Sequence, residues 1–260
     1  MVRNSHNGFI LQDRDLHLLH EIGTMRVVDR EQAKCVAGFG STRRVNYRLL
    51  GLTRAGLLRR FFLGTKAGGQ KALYTLSASG AKRVDVPFRG LRRRSDEVLV
   101  ADFFVAHQLS INEIYCNLKF RPISITEARF EKWISFYAPL EAGTRLIPDG
   151  YAEVHTPTKT LAAFLEVDLG NEGLSVWKSK VQNYLQYAIS GNFEKRFGHP
   201  QFRVLVIVST ERRMRYLQTA TLALTDKIFW FSTLESVAGA GFWSPVWFRA
   251  RNGECQSLFS

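Results

Sequence analysis

Ser41-Thr-Arg-Arg-Val-Asn-Tyr-Arg-Leu-Leu-Gly-Leu-Thr-Arg54 is followed almost at once by Leu57-Leu-Arg-Arg-Phe-Phe-Leu63 and, across a Gly68-Gly69 turn, by Lys71-Ala-Leu-Tyr-Thr-Leu76. In the first segment Val45, Leu49 and Leu52 recur at i, i+4 and i+7, one face of a helix, and Ser41 or Thr42 can cap its start. The next two are short apolar runs around a glycine turn, the pattern of a β-hairpin. A hairpin directly after a helix predicts a recognition helix with its wing. The polar side of that helix carries Arg43, Tyr47 and Arg54, with Arg44 and Arg48 one turn apart and no acid interleaved. Guanidinium groups so placed can pair with guanine edges or clamp phosphates in a major groove. Lys66 and Lys71, near the hairpin tip, would reach phosphate or the minor groove.

Two further helices are expected upstream. Leu16, Leu19 and Ile22 share a face, with Asp13 as cap and Gly23 as stop. Asp29-Arg-Glu-Gln32 reads as a capping box, after which Ala33, Val36 and Ala37 turn inward. Three short helices and a hairpin make a winged helix-turn-helix over residues 1–84.

Charge agrees with that placement. The chain has 260 residues and a net charge of +13; residues 1–100 hold 19 Lys plus Arg against 8 Asp plus Glu, and the remainder is close to neutral. Such asymmetry marks a segment that meets a polyanion, the alternative being a basic surface kept for solubility. Nothing here is a basic amphipathic helix with a lipid-facing side, so DNA is favoured over a membrane. No apolar run approaches the length of a transmembrane span, and Met1-Val-Arg-Asn-Ser-His-Asn-Gly8 lacks the apolar stretch of a secretory signal. Cys35, Cys116 and Cys255 are odd in number and far apart, which gives neither a disulfide framework nor a zinc pattern. The expected location is the cytoplasm.

Residues 85–122 read as a linker and a bridging helix. Pro87, Gly90 and the triplet Arg92-Arg-Arg94 suit a connection that tracks the DNA backbone, and 96–118 has helical patterning. From 123 the pattern becomes mixed α/β: a helix over 127–137, strands over 146–154 and 160–168, a helix over 174–190, a strand over 202–209, a basic helix over 211–224 and a strand over 228–233.

Pro148-Asp149 on one strand, then Glu166-Val-Asp168 on the next, resembles the PD-(D/E)xK pattern of restriction-endonuclease-like nucleases. A hairpin brings such carboxylates to one sheet edge, where they can hold Mg²⁺ or Mn²⁺ and activate water against a phosphodiester. Asp149 and Glu166 take the two acidic positions, but Asp168 stands where the pattern has lysine. Three outcomes follow from that departure. Lys178 or Lys180 on the next helix replaces the lysine, or Asp168 is a third metal ligand, or the site no longer cleaves.

The whole order resembles the replication-relaxation family. The resembling residues are the Asp13-Arg-Asp-x-x-x-Leu-x-x-Ile22 helix, Leu57-Leu58, His107-x-Leu-x-x-Asn112 and Pro148-Asp149. They continue with Phe164-Leu-Glu-Val-Asp168-x-Gly170-x-Glu172, with Lys180-x-x-x-Tyr184, and with Phe231-Ser-Thr-Leu-Glu235, so that residues 11–250 are covered. The resemblance implies an accessory or regulatory DNA-binding protein of plasmid replication, conjugative transfer or transcription control. The expected fold is therefore α/β: an N-terminal winged helix-turn-helix, then a restriction-endonuclease-like domain over 123–260. Expected partners are double-stranded DNA, a second copy of the chain, and a relaxase, replication or transcription protein. The other reading is a metal-dependent endonuclease using Asp149, Glu166, Asp168 and Lys180.

Overall fold

The computed structural model describes residues 5–6, 9–64, 68–91, 96–99, 102–251 and 253–259. It divides the chain into two units, Met1–Cys116 and Asn117–Ser260.

The first unit runs β1 (Ser5–His6), β2 (Phe9–Ile10), α1 (Asp13–Met25), β3 (Val28–Asp29), α2 (Arg30–Val36), α3 (Thr42–Arg54), β4 (Leu58–Gly64), β5 (Gln70–Leu76), α4 (Ala78–Arg83), β6 (Val98–Leu99) and α5 (Phe103–Lys119, whose last turn enters the second unit). Each of the first three helices starts where a side chain satisfies free backbone N–H groups. Asp13 is not the cap of α1; Gln12 is, in a reciprocal pair in which the Gln12 N–H donates to Asp15 at 2.8 Å. Asp29 accepts from the Gln32 N–H at 2.8 Å, and Ser41 accepts from the Arg44 N–H at 3.3 Å. Val45, Leu49 and Leu52 are fully buried, as their spacing predicts, whereas α1 turns Leu18, Leu19 and Ile22 inward and leaves Leu16 half-buried. Strands β4 and β5 pair antiparallel from Leu58↔Leu76 to Gly64↔Gln70, and the sheet order is β3-β5-β4-β6. Helix, short strand, two helices and a hairpin returning to that strand is an order compatible with a winged helix.

Part of the stretch expected as linker pairs with the sheet of this unit. Val98 and Leu99 form β6, parallel to Phe62 and Leu63 of β4, so the helix expected from 96 begins only at Phe103. Asp102 marks the change by accepting from the Val105 N–H at 3.0 Å. Further along α5 the buried Asn112 amide donates to the Val27 and Met25 carbonyls at 2.5 and 3.1 Å, and the Tyr115 hydroxyl donates to Glu21 at 2.7 Å. The two Asn112 bonds satisfy backbone carbonyls at and just past the end of α1, which accounts for the asparagine of the His107-x-Leu-x-x-Asn112 motif.

The second unit continues with β7 (Arg129–Ile134), β8 (Gly150–His155), β9 (Thr160–Asp168), α6 (Leu174–Ile189), α7 (Asn192–Phe197), β10 (Arg203–Val208), α8 (Glu211–Leu222), β11 (Phe229–Thr233), α9 (Leu234–Gly239), β12 (Trp247–Arg249) and β13 (Cys255–Gln256). The helix expected over 127–137 is the strand β7, paired antiparallel with β8 across a bulge at Phe130/Lys132. The seven strands lie in the order β13-β12-β11-β10-β9-β8-β7, with β9, β10 and β11 parallel and the flanking pairs antiparallel. The chain is thus α/β, with helices beside mixed sheets. One face of this sheet is sealed by α6, α7 and α8 over an aromatic core that includes Tyr151, Phe164, Phe193, Phe197 and Phe202. Trp177 ties α6 to α8 by donating to the Thr221 hydroxyl at 2.9 Å.

Candidate functional site

Two sets of side chains merit description, one in each unit. In the first, the capped start of α3 and its buried Val45–Leu49–Leu52 stripe fix which side faces outward. Arg43, Arg44, Tyr47 and Arg54 are exposed there, Tyr47 at 69%, and among the described residues no acid pairs with these arginines. Arg48 departs from the expectation. Its guanidinium forms a two-pronged pair with the wholly buried Asp15 of α1, donates to the Ile10 carbonyl at 3.1 Å and stacks on Phe9 at 4.3 Å. With its side chain 13% exposed, Arg48 holds α3 to α1 and neutralises a buried charge. Lys71 is likewise engaged at home, 2.5 Å from the Asp29 carboxylate that caps α2. Lys66, Arg92, Arg93 and Arg94 lie outside the described residues.

In the second unit β8 and β9 are antiparallel with Gly150 opposite Leu165, which sets Asp149 beside the end of β9. The Asp149 carboxylate accepts from the Val167 N–H at 2.7 Å, and its charge acts on Glu166. Glu166 is buried, and both its oxygens are taken: Oε2 by the Lys180 ammonium at 2.9 Å, Oε1 by the Tyr184 hydroxyl at 2.6 Å. Lys180 and Tyr184 are one turn apart on α6, so a single helical face supplies both donors. Lys180 also reaches Glu172 at 2.7 Å. Burial pushes the Glu166 carboxyl up to about 7, with Lys180 pulling the other way and Asp149 adding to the rise. Burial and the neighbouring Glu166 charge hold the Tyr184 hydroxyl protonated, as a donor.

Asp168 does not join this group. It sits on the same strand but is clasped by Arg213 of α8 through Nε at 3.1 Å and Nη2 at 2.6 Å, and it accepts from the Gly170 N–H at 2.5 Å. Gly170, at φ +97°, makes the tight turn in which a larger residue would be strained, so the Leu-Glu-Val-Asp-x-Gly motif builds a strand end and its turn. Among the expected site residues the structure therefore brings Asp149, Glu166 and Lys180 together and assigns Asp168 to an ion pair. Lys178 points elsewhere: with Arg212, Arg215 and Tyr216 it lines an open groove between α6 and α8.

A hard divalent cation takes about six oxygen ligands. Here one carboxylate accepts from a lysine and a tyrosine, the second accepts a backbone N–H, and the third acid is held by arginine. As placed, Asp168 is turned to Arg213, so of the three acids only Asp149 and Glu166 stand together at the strand end. Arg213, Tyr184 and Glu172 are neighbours of the site that are not among the expected site residues. The Lys180–Tyr184 spacing was a usable signal; nothing local to Asp168 announces an arginine 45 residues away.

No curated protein and no solved structure matches the chain. The replication-relaxation family profile matches residues 19–200, shorter than the span of 11–250 over which the resemblance was expected; Asp13 and Phe231–Glu235 fall outside it. With well over half of its length matched, the chain belongs to the replication-relaxation family, which suggests a role in replication or mobile-element function.

Proposed function

We propose that the chain is a DNA-binding accessory or regulatory protein of a mobile element, acting in the cytoplasm in plasmid replication, conjugative transfer or transcription control. On this reading the first unit is a winged helix-turn-helix that lays α3 in the major groove and the β4–β5 wing against the backbone. The observation that carries it is the outward face of α3, where Arg43, Arg44 and Tyr47 stand exposed without an acidic partner among the described residues. Side chains that serve stability behave otherwise on the same helix, as the Arg48–Asp15 pair illustrates. Arginine near a helix start can read guanine bidentately, and Tyr47 can pack against sugar or base.

The second unit is a nuclease-like scaffold without cleavage, used for pairing two copies and for docking a relaxase, replication or transcription protein. The hydrogen-bonded Glu166 and the Asp168–Arg213 pair support that reading. A second reading, the Mg²⁺- or Mn²⁺-dependent endonuclease, draws on one observation: Asp149, Glu166 and Lys180 gather at one strand end, with the lysine supplied from α6.

Selection of duplexes from a randomised 30-bp library (a length of about three helical turns) tests the proposal. The full chain is expected to enrich a motif with guanine at fixed positions, and Arg43→Ala with Arg44→Ala should lose that enrichment. Absence of any enriched motif from the wild-type chain contradicts sequence-specific binding.

A further inference from the structure

At the other end of β8 from Asp149 lies a polar cluster that the carboxylate site does not use. Asp149, Tyr151, Glu153 and His155 alternate along one face of β8 and its approach, and the aromatic core around Tyr151 separates the two ends. Glu153 is 5% exposed. Its Oε1 accepts from the Tyr151 hydroxyl at 2.9 Å and lies 3.3 Å from Lys132 Nζ. Its Oε2 faces two imidazoles: His199 Nε2 at 3.5 Å and His155 Nε2 at 3.9 Å. His199 arrives from the turn after α7, where Gly198 at φ +75° reverses the chain.

Three features distinguish this group from an ordinary salt-bridge cluster. The separations at Oε2 exceed hydrogen-bond lengths, and His155 Nε2 is buried with no hydrogen-bond partner, an arrangement that is costly unless something else occupies the gap. Donor atoms of all three residues lie within 4.8 Å of one another, and among the described residues no other His, Cys, Asp and Glu set of three converges this way. Tetrahedral Zn²⁺ with N and O ligands at about 2.0–2.2 Å sets its ligand atoms roughly 3.3–3.6 Å apart; the 3.5 Å of His199 from Oε2 lies in that range and the 3.9 Å of His155 is a few tenths of an ångström longer. Finally, the Tyr151 hydroxyl holds the rear oxygen of the carboxylate, the outer-shell support that metal-ligating carboxylates have.

We infer that Glu153, His155 and His199 form a zinc-binding site, with water as the fourth ligand, that clips the end of β8 to the α7–β10 connection. Two imidazoles and a carboxylate suit zinc better than magnesium or calcium, which take oxygen. The Tyr151 hydroxyl and the Lys132 ammonium both lie at Oε1, which leaves Oε2 facing the two imidazoles. Lys132 is 45% exposed and can turn to solvent when the metal's charge arrives.

The test is Zn²⁺ competition between a chromophoric chelator and the metal-free, untagged full chain, with thermal unfolding in parallel. One zinc per chain is expected, with a melting temperature raised by the metal. Affinity should fall at least tenfold in His155→Gln and again in His199→Gln, while Cys255→Ser binds as wild type. Far-UV circular dichroism of the metal-free variants checks that they fold; if either glutamine variant does not, the zinc-dependent rise in melting temperature of the wild type and its loss in Glu153→Gln decide. Failure of the wild type to bind, binding unmoved in the folded histidine variants, or a site that follows Cys255 overturns the inference.

Discussion

Lys180 crosses from α6 to the end of β9 and sets its ammonium 2.9 Å from Oε2 of the buried Glu166. The residue after next in the strand, where a PD-(D/E)xK nuclease carries its lysine, is Asp168, and it is turned to Arg213 instead. Position in space and position in sequence thus disagree, and the disagreement bears on both activity and stability.

Because each Glu166 oxygen already accepts a hydrogen bond and Asp168 is held by Arg213, supercoiled plasmid incubated with the protein and Mg²⁺, Mn²⁺ or EDTA should stay supercoiled under all three conditions. Metal-dependent nicking that vanishes in both Asp149→Ala and Glu166→Ala would establish the endonuclease instead.

Removing the lysine leaves a buried carboxylate with only Tyr184 as donor. Lys180→Met is expected to destabilise the chain by about 2–4 kcal/mol at pH 8, as broken buried pairs do. At pH 5, where Glu166 takes up a proton, the loss should be smaller, and Glu166→Gln on top of Lys180→Met should restore part of it. Urea denaturation at the two pH values reads this directly; equal losses at both would mean that the pair carries little of the energy.

Glu166 itself gives a pH signature. Its folded-state pKa, about 7, lies above the ordinary 4.5, so the folded chain binds this proton more tightly than the unfolded chain. The associated stability is fully present below pH 4.5 and is lost as pH rises to 7. Relative to Glu166→Gln, the wild type should therefore lose stability between pH 4.5 and 7, on the order of 1–3 kcal/mol, and then level off. Thermal unfolding across pH 4.5–8 measures it, and a constant difference between the two proteins would contradict the assignment.

On α3 two arginines four residues apart should behave in opposite ways. Arg48→Ala strands the buried Asp15 and should cost about 3 kcal/mol of stability. Arg44→Ala, on the exposed face, should stay within about 0.5 kcal/mol of wild type. Denaturation midpoints of the two variants separate the structural arginine from the one proposed to meet DNA.

What the sequence disclosed was what local periodicity records. The Val45–Leu49–Leu52 stripe, the Asp29 and Ser41 caps and the β4–β5 hairpin are local patterns, and they stand as read. Residues 127–137 misled because β7 is an edge strand whose alternation is broken by the bulge at Phe130/Lys132; only pairing with β8 makes it a strand. Val98 and Leu99 are likewise drawn out of the expected helix by β4, a partner distant in sequence. The same limit applied to side chains. Arg48 has the spacing of an outward arginine, and its partner Asp15 lies 33 residues away on another helix. The Glu153–His155–His199 cluster needed the turn after α7 to bring His199 to β8, and no spacing in the chain predicts that.

The central claim is that α3 meets DNA through Arg43 and Arg44, and fluorescence anisotropy of a labelled duplex, titrated with the full chain at several salt concentrations, tests it most directly. The account predicts that Arg43→Ala combined with Arg44→Ala weakens binding at least tenfold and lowers the salt slope by up to about 2, as lost phosphate or base contacts would. Equal affinity and equal slope for the wild type and the double variant would contradict it.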